Sequence, residues 1–261
     1  MRVYVLSRPS IDTIEIKDFL DDINMPWKSD ARSEAELLCE LAGRVCYMSF
    51  AKPRPGGASA YFKHIKESGH GSILEHASWT FLITGISRSL THELVRHRAG
   101  FAFSQLSQRY VDESNTEFIE PDIIASDHEM HTIWSETMQH IRNAYIRLYE
   151  LLEKRLQEPH FSHRWLPSNA SATDKRKIAR QAARSVLPNA TETEIVVTAN
   201  ARSWRHFVEQ RCSRHADYEI RKLANTILDI LSEDAPHLFN DYQCVPLNDG
   251  TYEITTNYRK V

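Results

Sequence analysis

The sequence predicts an α+β fold: a small mixed or antiparallel sheet flanked by helices, in one domain spanning residues 1–261. Three observations lead there. Helical periodicities outnumber strand-like runs, and the strand-like runs are too scattered for a regular βαβ array. The chain has 261 residues, 41% hydrophobic and 26% charged, the proportions of a packed globular protein and not of a disordered or fibrous one. It also carries no internal repeat, no low-complexity tract and no interdomain linker. Lys52-Pro53-Arg54-Pro55-Gly56-Gly57 and the stretch 159–173 are its weak breaks, and both read as loops.

Each element has its own signal. Residues 1–6 alternate as an opening strand. Ser33-Glu34-Ala35-Glu36 is a helix start, continued by Leu37, Leu38, Leu41 and Ala42 at helical spacing. Residues 59–67 read as a helix closed by Ser68-Gly69. ASWTFLITGI (77–86) has strand character and gives way to a helix over 87–97. The longest helical pattern runs from Asp127 to Leu156, with Ile133, Met138, Ile141, Tyr145, Leu148 and Leu152 forming one apolar stripe. A basic helix follows over 174–186, ending at Leu187-Pro188, then a strand over 191–198. Helices over 200–212 and 216–232 precede a tail that reads as short-stranded and irregular.

Composition removes several function classes. Net charge is −3, so a nucleic-acid backbone or anionic membrane finds no bulk attraction. No apolar run approaches the roughly 18 residues of a membrane span, and the charged start does not read as a signal peptide. Cys39, Cys46, Cys212 and Cys244 form no CxxC pair, so neither a disulfide framework nor a zinc ribbon is expected. A cytoplasmic location with reduced thiols follows from these readings. No metal site is expected either: His92-Glu93 with His97 is one residue too long for HExxH, and residues i and i+5 diverge on a helix. Only 8 glycines occur, none in a phosphate-cradling GxGxxG or GxxxxGK pattern.

Chemistry-bearing residues crowd into four segments. GHGSILEH (69–76) offers His70, Ser72, Glu75 and His76 in a loop, with Ser72 as a helix cap being the plainer reading. RHRAGFAFSQLSQRY (96–110) interleaves three arginines with Phe101, Phe103 and Leu106, which suits a phosphate or carboxylate better than a solvated charge run. In RQAARSVLP (180–188), Arg184 either serves a ligand or complements its helix dipole. In NARSWRHFVEQRCSRH (200–215), Arg202 and His206 share one helix face while Arg211, about half a circle away, lies with Trp204 and Val208 on an apolar one. An arginine on that stripe needs a partner, which marks Arg211 as a functional candidate.

RHRAGFAFSQLS (96–107) resembles the signature of flavin-dependent thymidylate synthases, an RHR followed seven or eight residues later by Ser, here in the longer version. GHGSILEH, ARSVLPNATETEIVVTANARSWRHF and QRCSRHADYEIRKLA extend the resemblance in the family's order over about residues 70–223. It implies reductive methylation of dUMP to dTMP, with 5,10-methylenetetrahydrofolate giving the carbon, NADPH the reducing equivalents and FAD carrying the hydride. It also implies a homotetramer with sites between subunits. By the same resemblance Arg211 activates the uracil by favouring N3 ionisation. Glu93, Leu94, Val95, Arg96, Gln105, Leu106, Ser107, Gln108, Arg109 and Arg184 join Arg211 in binding dUMP, Arg109 and Arg184 on the phosphate. FAD falls to His70, Ser72, Arg96, His97, Arg98, Ala99, Gln105, Asn200, Ala201, Arg202 and His206. The family often has Gln where Glu93 stands. The rival reading, a nucleic-acid-binding module built on the Arg/His clusters, requires a continuous basic stripe. Here Glu93, Asp112, Glu113 and Glu209 interrupt it.

Overall fold

A computed structural model describes residues 1–51, 55–259 and 261. Lys52, Pro53 and Arg54 of the expected loop lie outside the described residues. In chain order the elements are strand β1 (Arg2–Ser7), helices α1 (Thr13–Asp22), α2 (Glu34–Tyr47) and α3 (Gly57–Glu67), β2 (Ser78–Ser87), α4 (Arg88–Leu94) and β3 (Phe101–Gln105). There follow α5 (Asp122–Ala125), α6 (His128–Gln157), α7 (Ala172–Ala183), β4 (Glu192–Asn200), α8 (Ala201–Arg211), α9 (Tyr218–Asp234) and α10 (Pro236–Phe239). The hairpin strands β5 (Gln243–Pro246) and β6 (Tyr252–Thr255) end the chain.

The class is α+β, with a four-stranded sheet ordered β1-β2-β4-β3 and an antiparallel hairpin β5-β6. β2 and β4 run antiparallel, since Ala77 pairs with Ala201, Thr80 with Thr198 and Arg88 with Thr191. β4 buries Thr193, Ile195, Val197 and Ala199 and leaves the residues between them more exposed, the two-residue alternation of a sheet with one covered face. Among the described residues, no helix is long and apolar enough to cross a membrane.

The chain divides into two compact units. The first comprises residues 1–83, 93–104 and 196–261. Its core gathers Trp79, Phe81, Trp204, Phe207 and Phe239, with Phe81 edge-on to Trp204 at 5.2 Å and Trp79 edge-on to Phe239 at 5.9 Å. α9 adds Ile220, Leu223, Ile227 and Leu231 at helical spacing. Beneath these sits a buried ionic knot. Arg205 donates to both Asp241 carboxylate oxygens at 2.6 and 2.9 Å and to the Leu238 carbonyl at 2.6 Å, and Lys66 reaches Asp241 at 2.8 Å.

The second unit comprises residues 84–92 and 105–195. α6 and α7 pack through Met138, Tyr145, Leu156, Ala179 and Ala183. The expected apolar stripe of α6 is only partly a core: Ile133 and Leu148 are exposed, because α7 and the short α5 cover only a narrow band of so long a helix.

Local chemistry explains where the observed bounds depart from the expected ones. α7 begins two residues early because Ser171 and Asp174 close a reciprocal capping box. α4 stops at Leu94, where Arg96 N–H and His97 N–H bond back three residues instead of four. The stretch after it folds as strand β3. Helix α1, which the sequence reading leaves unassigned, is nucleated by Asp12 accepting from the N–H groups of Ile14 and Glu15.

Candidate functional site

Three groups of side chains in the first unit converge around α8. Asn200 caps this helix through the Ser203 N–H at 2.9 Å, which fixes its start and so the direction of every side chain on it. Trp204 and Val208 face the core, and Arg211, one turn on, emerges at its edge.

Arg211 has the partner its position demands. Its Nη1 donates to the Glu93 carboxylate, its Nη2 to the Glu93 carbonyl at 3.2 Å, and its Nε to His97 Nε2 at 3.0 Å. His97 is buried beside Phe207, and burial first, then the charges of Arg211, His206 and Arg96, push its pKa down to about 4. The ring is therefore neutral at physiological pH, carries its hydrogen on Nδ1 and accepts from the guanidinium. Glu93 is pushed above its ordinary value by burial and by Asp217, against the pull of Arg211. A planar guanidinium held on three acceptors has a fixed aim, which suits it to stabilise a developing anion.

The His97 environment gives a testable sign. Its folded value lies below the ordinary 6.5, so the unfolded chain takes the proton first. Stability is then full above pH 6.5 and falls, by up to about 3 kcal/mol, as pH drops from there towards 4. His97→Gln keeps an acceptor for Arg211 but cannot charge. Its denaturation midpoints should vary less over that window, and a curve parallel to the unmutated protein's would refute the assignment.

On the opposite face of α8, Arg202 pairs with Glu75 at 2.6 Å. Together with Ala99, Gly100, Asn200 and His206 they line a cavity of about 310 Å³. Gly100 adopts φ +73°, and a Cβ there would meet Ser203 Oγ at 2.1 Å, so the backbone approaches α8 more closely than another residue allows. A second cavity, about 260 Å³, is lined by His70, Gly71, Ser72 and Arg202 with Tyr47, whose ring stacks on His70 at 6.2 Å. Ser72 is not a helix cap: it lies inside a 3-10 turn (Gly71–Glu75) whose preceding residue, His70, makes no capping bond. Arg96 and Arg98 are exposed, while Leu94 and Ala201 are fully buried, leaving those two only backbone groups to offer. Arg202, the capping Asn200 and the rings of His206 and His70 around these cavities form a donor set fitted to an anionic, heterocyclic cofactor.

The remaining candidates belong to the second unit. Gln105 Nε2 donates to Thr91 Oγ1 at 3.0 Å and to Thr193 Oγ1 at 3.3 Å. Leu106 pairs through its N–H with the Glu194 carbonyl, and its own carbonyl accepts from Arg88 Nη2 at 2.9 Å. Ser107 opens a turn, its carbonyl accepting from the N–H groups of Tyr110 and Val111. Gln108 is buried with Nε2 unpartnered, and Arg109 is exposed. Arg184 is the C-terminal cap of α7, a position that also suits the helix dipole. Its charge lowers the pKa of Arg88, after burial, while the buried Glu113 opposes that shift.

Arg88, Glu113 and Asp217 are absent from the sequence-derived site, and Glu75, though noted in its segment, is given no ligand there. Arg88 stands alone at a strand–helix junction, and Asp217 falls inside the helix expected over 216–232, so neither signals a role in one dimension. Cys212, whose sequence neighbours are Arg and His, is buried, and its thiol is pushed up to about 12, mainly by burial. It is no activated nucleophile. Among the described residues, no three His, Cys, Asp or Glu side chains are grouped to hold a metal ion.

A family model for "thymidylate synthase complementing protein" matches residues 29–237. A flavin-dependent thymidylate synthase of Mycobacterium sp. (strain JLS) is 48% identical over 248 residues, 94% of each chain. Proteins of the same name from Corynebacterium efficiens and Corynebacterium diphtheriae are 47% identical over 252 residues and 44% over 251, covering 95% of this chain each and 96% and 95% of their own.

Proposed function

The chain belongs to the flavin-dependent thymidylate synthase family, and from that premise we propose that it acts as one domain over residues 1–261, methylating dUMP to dTMP. 5,10-Methylenetetrahydrofolate is the carbon donor and NADPH the reductant. When bound, FAD carries the reducing equivalents from NADPH to the transferred carbon. The observation that carries this reading is the Arg211 guanidinium, aimed by a neutral histidine and a carboxylate at the edge of an apolar helix face.

Arg211 favours loss of the N3 proton from the uracil and so raises electron density at C5, an electrostatic effect that a partly dry setting strengthens. Glu93 accepts the uracil N–H, and Leu94, Val95 and Arg96 contribute to the same grip on dUMP. Gln105, Leu106, Ser107 and Gln108 embrace the nucleotide, with Arg109 and Arg184 on its phosphate. Ser107 acts as a ligand: its Oγ accepts from the Arg109 N–H at 3.4 Å, and among the described residues no base bonds to its hydroxyl.

His70, Ser72, Arg96, His97, Arg98, Ala99, Gln105, Asn200, Ala201, Arg202 and His206 would hold FAD. The cavities beside Arg202 are each small for a whole dinucleotide. That supports a homotetramer in which a neighbouring subunit completes the site. The enzyme works in the cytoplasm.

The test is a visible absorption spectrum of the purified protein, followed by NADPH oxidation with and without dUMP. A flavin spectrum with dUMP-stimulated oxidation is expected. No flavin after FAD is added, and no dUMP dependence, would sink the reading.

A further inference from the structure

We propose that Thr91 and Thr193 are positioning residues that lock the Gln105 amide with both of its N–H groups turned inward. Gln105 then meets its ligand through Oε1 alone, as an acceptor for a hydroxyl or an N–H and not as a donor to phosphate. This rests on the function proposed above and deepens it, since it sets the polarity of one binding group.

All the groups involved lie in the second unit. Gln105 ends β3, and its Nε2 donates to Thr91 Oγ1 at 3.0 Å and to Thr193 Oγ1 at 3.3 Å. An amide nitrogen carries two hydrogens, so both are used. Turning the amide by half a circle would bring Oε1 inward instead, and the Thr91 hydroxyl forbids this. Its single hydrogen goes to the Arg88 carbonyl at 2.9 Å, so towards Gln105 it offers only lone pairs. An inward Oε1 would face an oxygen with no hydrogen left to give. Thr91 is fully buried and Thr193 nearly so, which denies both hydroxyls water as a substitute partner. The backbone beside the amide is held as well. Leu106 N–H bonds to the Glu194 carbonyl at 2.9 Å, and the Leu106 carbonyl accepts from Arg88 Nη2 at 2.9 Å. Gln105 itself is half-buried, and among the described residues no group donates to its Oε1.

A carboxamide held in this way acts as a carbonyl. It attracts a donor and repels phosphate, whose oxygens at neutral pH are almost all acceptors. The phosphate of dUMP therefore falls to Arg109 and Arg184, and Gln105 takes an uncharged donor. dUMP has two such groups, the uracil N3–H, which is assigned to Glu93, and the sugar hydroxyl. FAD has hydroxyls and a ring N–H. The sugar hydroxyl of dUMP and the flavin are thus the two sources of the chemistry that Gln105 recognises.

The experiment compares flavin-loaded Thr91→Val, Thr91→Ser and Thr193→Val with the unmutated enzyme. It reads melting temperature, Kd for dUMP by calorimetric titration, Kd for FAD from its release on dilution, and kcat for NADPH oxidation. Thr91→Val frees the amide to turn. It should weaken one of the two ligands about three- to tenfold, the worth of one hydrogen bond, with kcat changing less than about twofold. Thr91→Ser keeps the hydroxyl and should restore the affinity. Thr193→Val removes only the longer bond and should give a smaller loss in the same ligand, which keeps the test decisive if Thr91→Val does not fold. The source is identified with 2′,3′-dideoxyuridine monophosphate, which lacks the sugar hydroxyl. If that hydroxyl is the partner, Thr91→Val weakens dUMP and leaves this analogue unchanged. If the flavin is the partner, Kd for FAD rises and both nucleotides bind as before. A folded Thr91→Val that keeps both ligands within about twofold overturns the inference, and so does a loss that Thr91→Ser fails to repair. It is equally overturned if dUMP and the analogue weaken alike while FAD does not move. Should the unmutated enzyme bind neither flavin nor dUMP, the proposed function fails first.

Discussion

Arg211→Ala is expected to leave flavin bound and to lower dTMP formation by about 10²–10³-fold or more, the range seen when an aimed donor to a developing anion is removed. The separation of the two effects follows from α8. Arg202 and His206 lie on the face that lines the cavity with Asn200 and Gly100, and Arg211 lies on the other, bonded to Glu93 and His97. Removing Arg211 touches none of the cavity-lining groups directly and, of the residues assigned to FAD, takes a hydrogen bond from His97 alone, so the flavin absorption should survive. It deletes the cation that stabilises the ionised uracil, so turnover should not. Arg211→Lys offers a point charge in place of a planar fork and cannot reach Glu93 and His97 together, so it should recover only a small part of the rate. The checks are the visible spectrum of the purified variant and dTMP formed per unit time under saturating substrates. A variant with near-normal dTMP formation would remove Arg211 from the mechanism.

The sequence showed the two-faced helix plainly because its signal is periodic. Arg202 and His206 four residues apart, and Arg211 in phase with Trp204 and Val208, fix who shares a face before any coordinates exist. β2, β4 and the starts of α2 at Ser33 and of α6 at Asp127 were legible for the same reason, each resting on residues within a few positions of one another. What was illegible depends on pairing at long range. Glu93 and Arg211 are 118 positions apart; the resemblance sets both on dUMP, but nothing in either neighbourhood says that they bond to each other. β3 was obscured by its content, since Phe101 to Gln105 reads as part of an arginine-rich ligand loop until Gln105 is seen bonded to Thr91 and Thr193. The apolar stripe of α6 misleads in the opposite sense. Periodicity says which residues share a face but not how much of that face a neighbour covers.

The same long-range blindness hides the group on which stability should depend most. Asp241→Asn is expected to cost about 3–5 kcal/mol, because it removes one partner of a buried ion pair and strands the others. Arg205 is fully buried, and both of its bonds to Asp241, with that of Lys66, would be left facing a neutral amide. Burial by itself would raise the Asp241 carboxyl, but the hydrogen bonds and charge of Arg205, then those of Lys66, hold it far below the usual carboxylate range. A carboxyl depressed in the folded state contributes stability that is complete above its unfolded value, near pH 4. That contribution is lost as pH falls further, because the unfolded chain binds the proton first. The mutational cost should therefore be largest at neutral pH and shrink as pH drops below about 4. Denaturant unfolding of both proteins across that range measures it directly. Equal costs at both ends would mean that Asp241 stabilises by packing and not by its charge, and would leave Arg205 to be neutralised by Glu209, 4.0 Å away on the same helix.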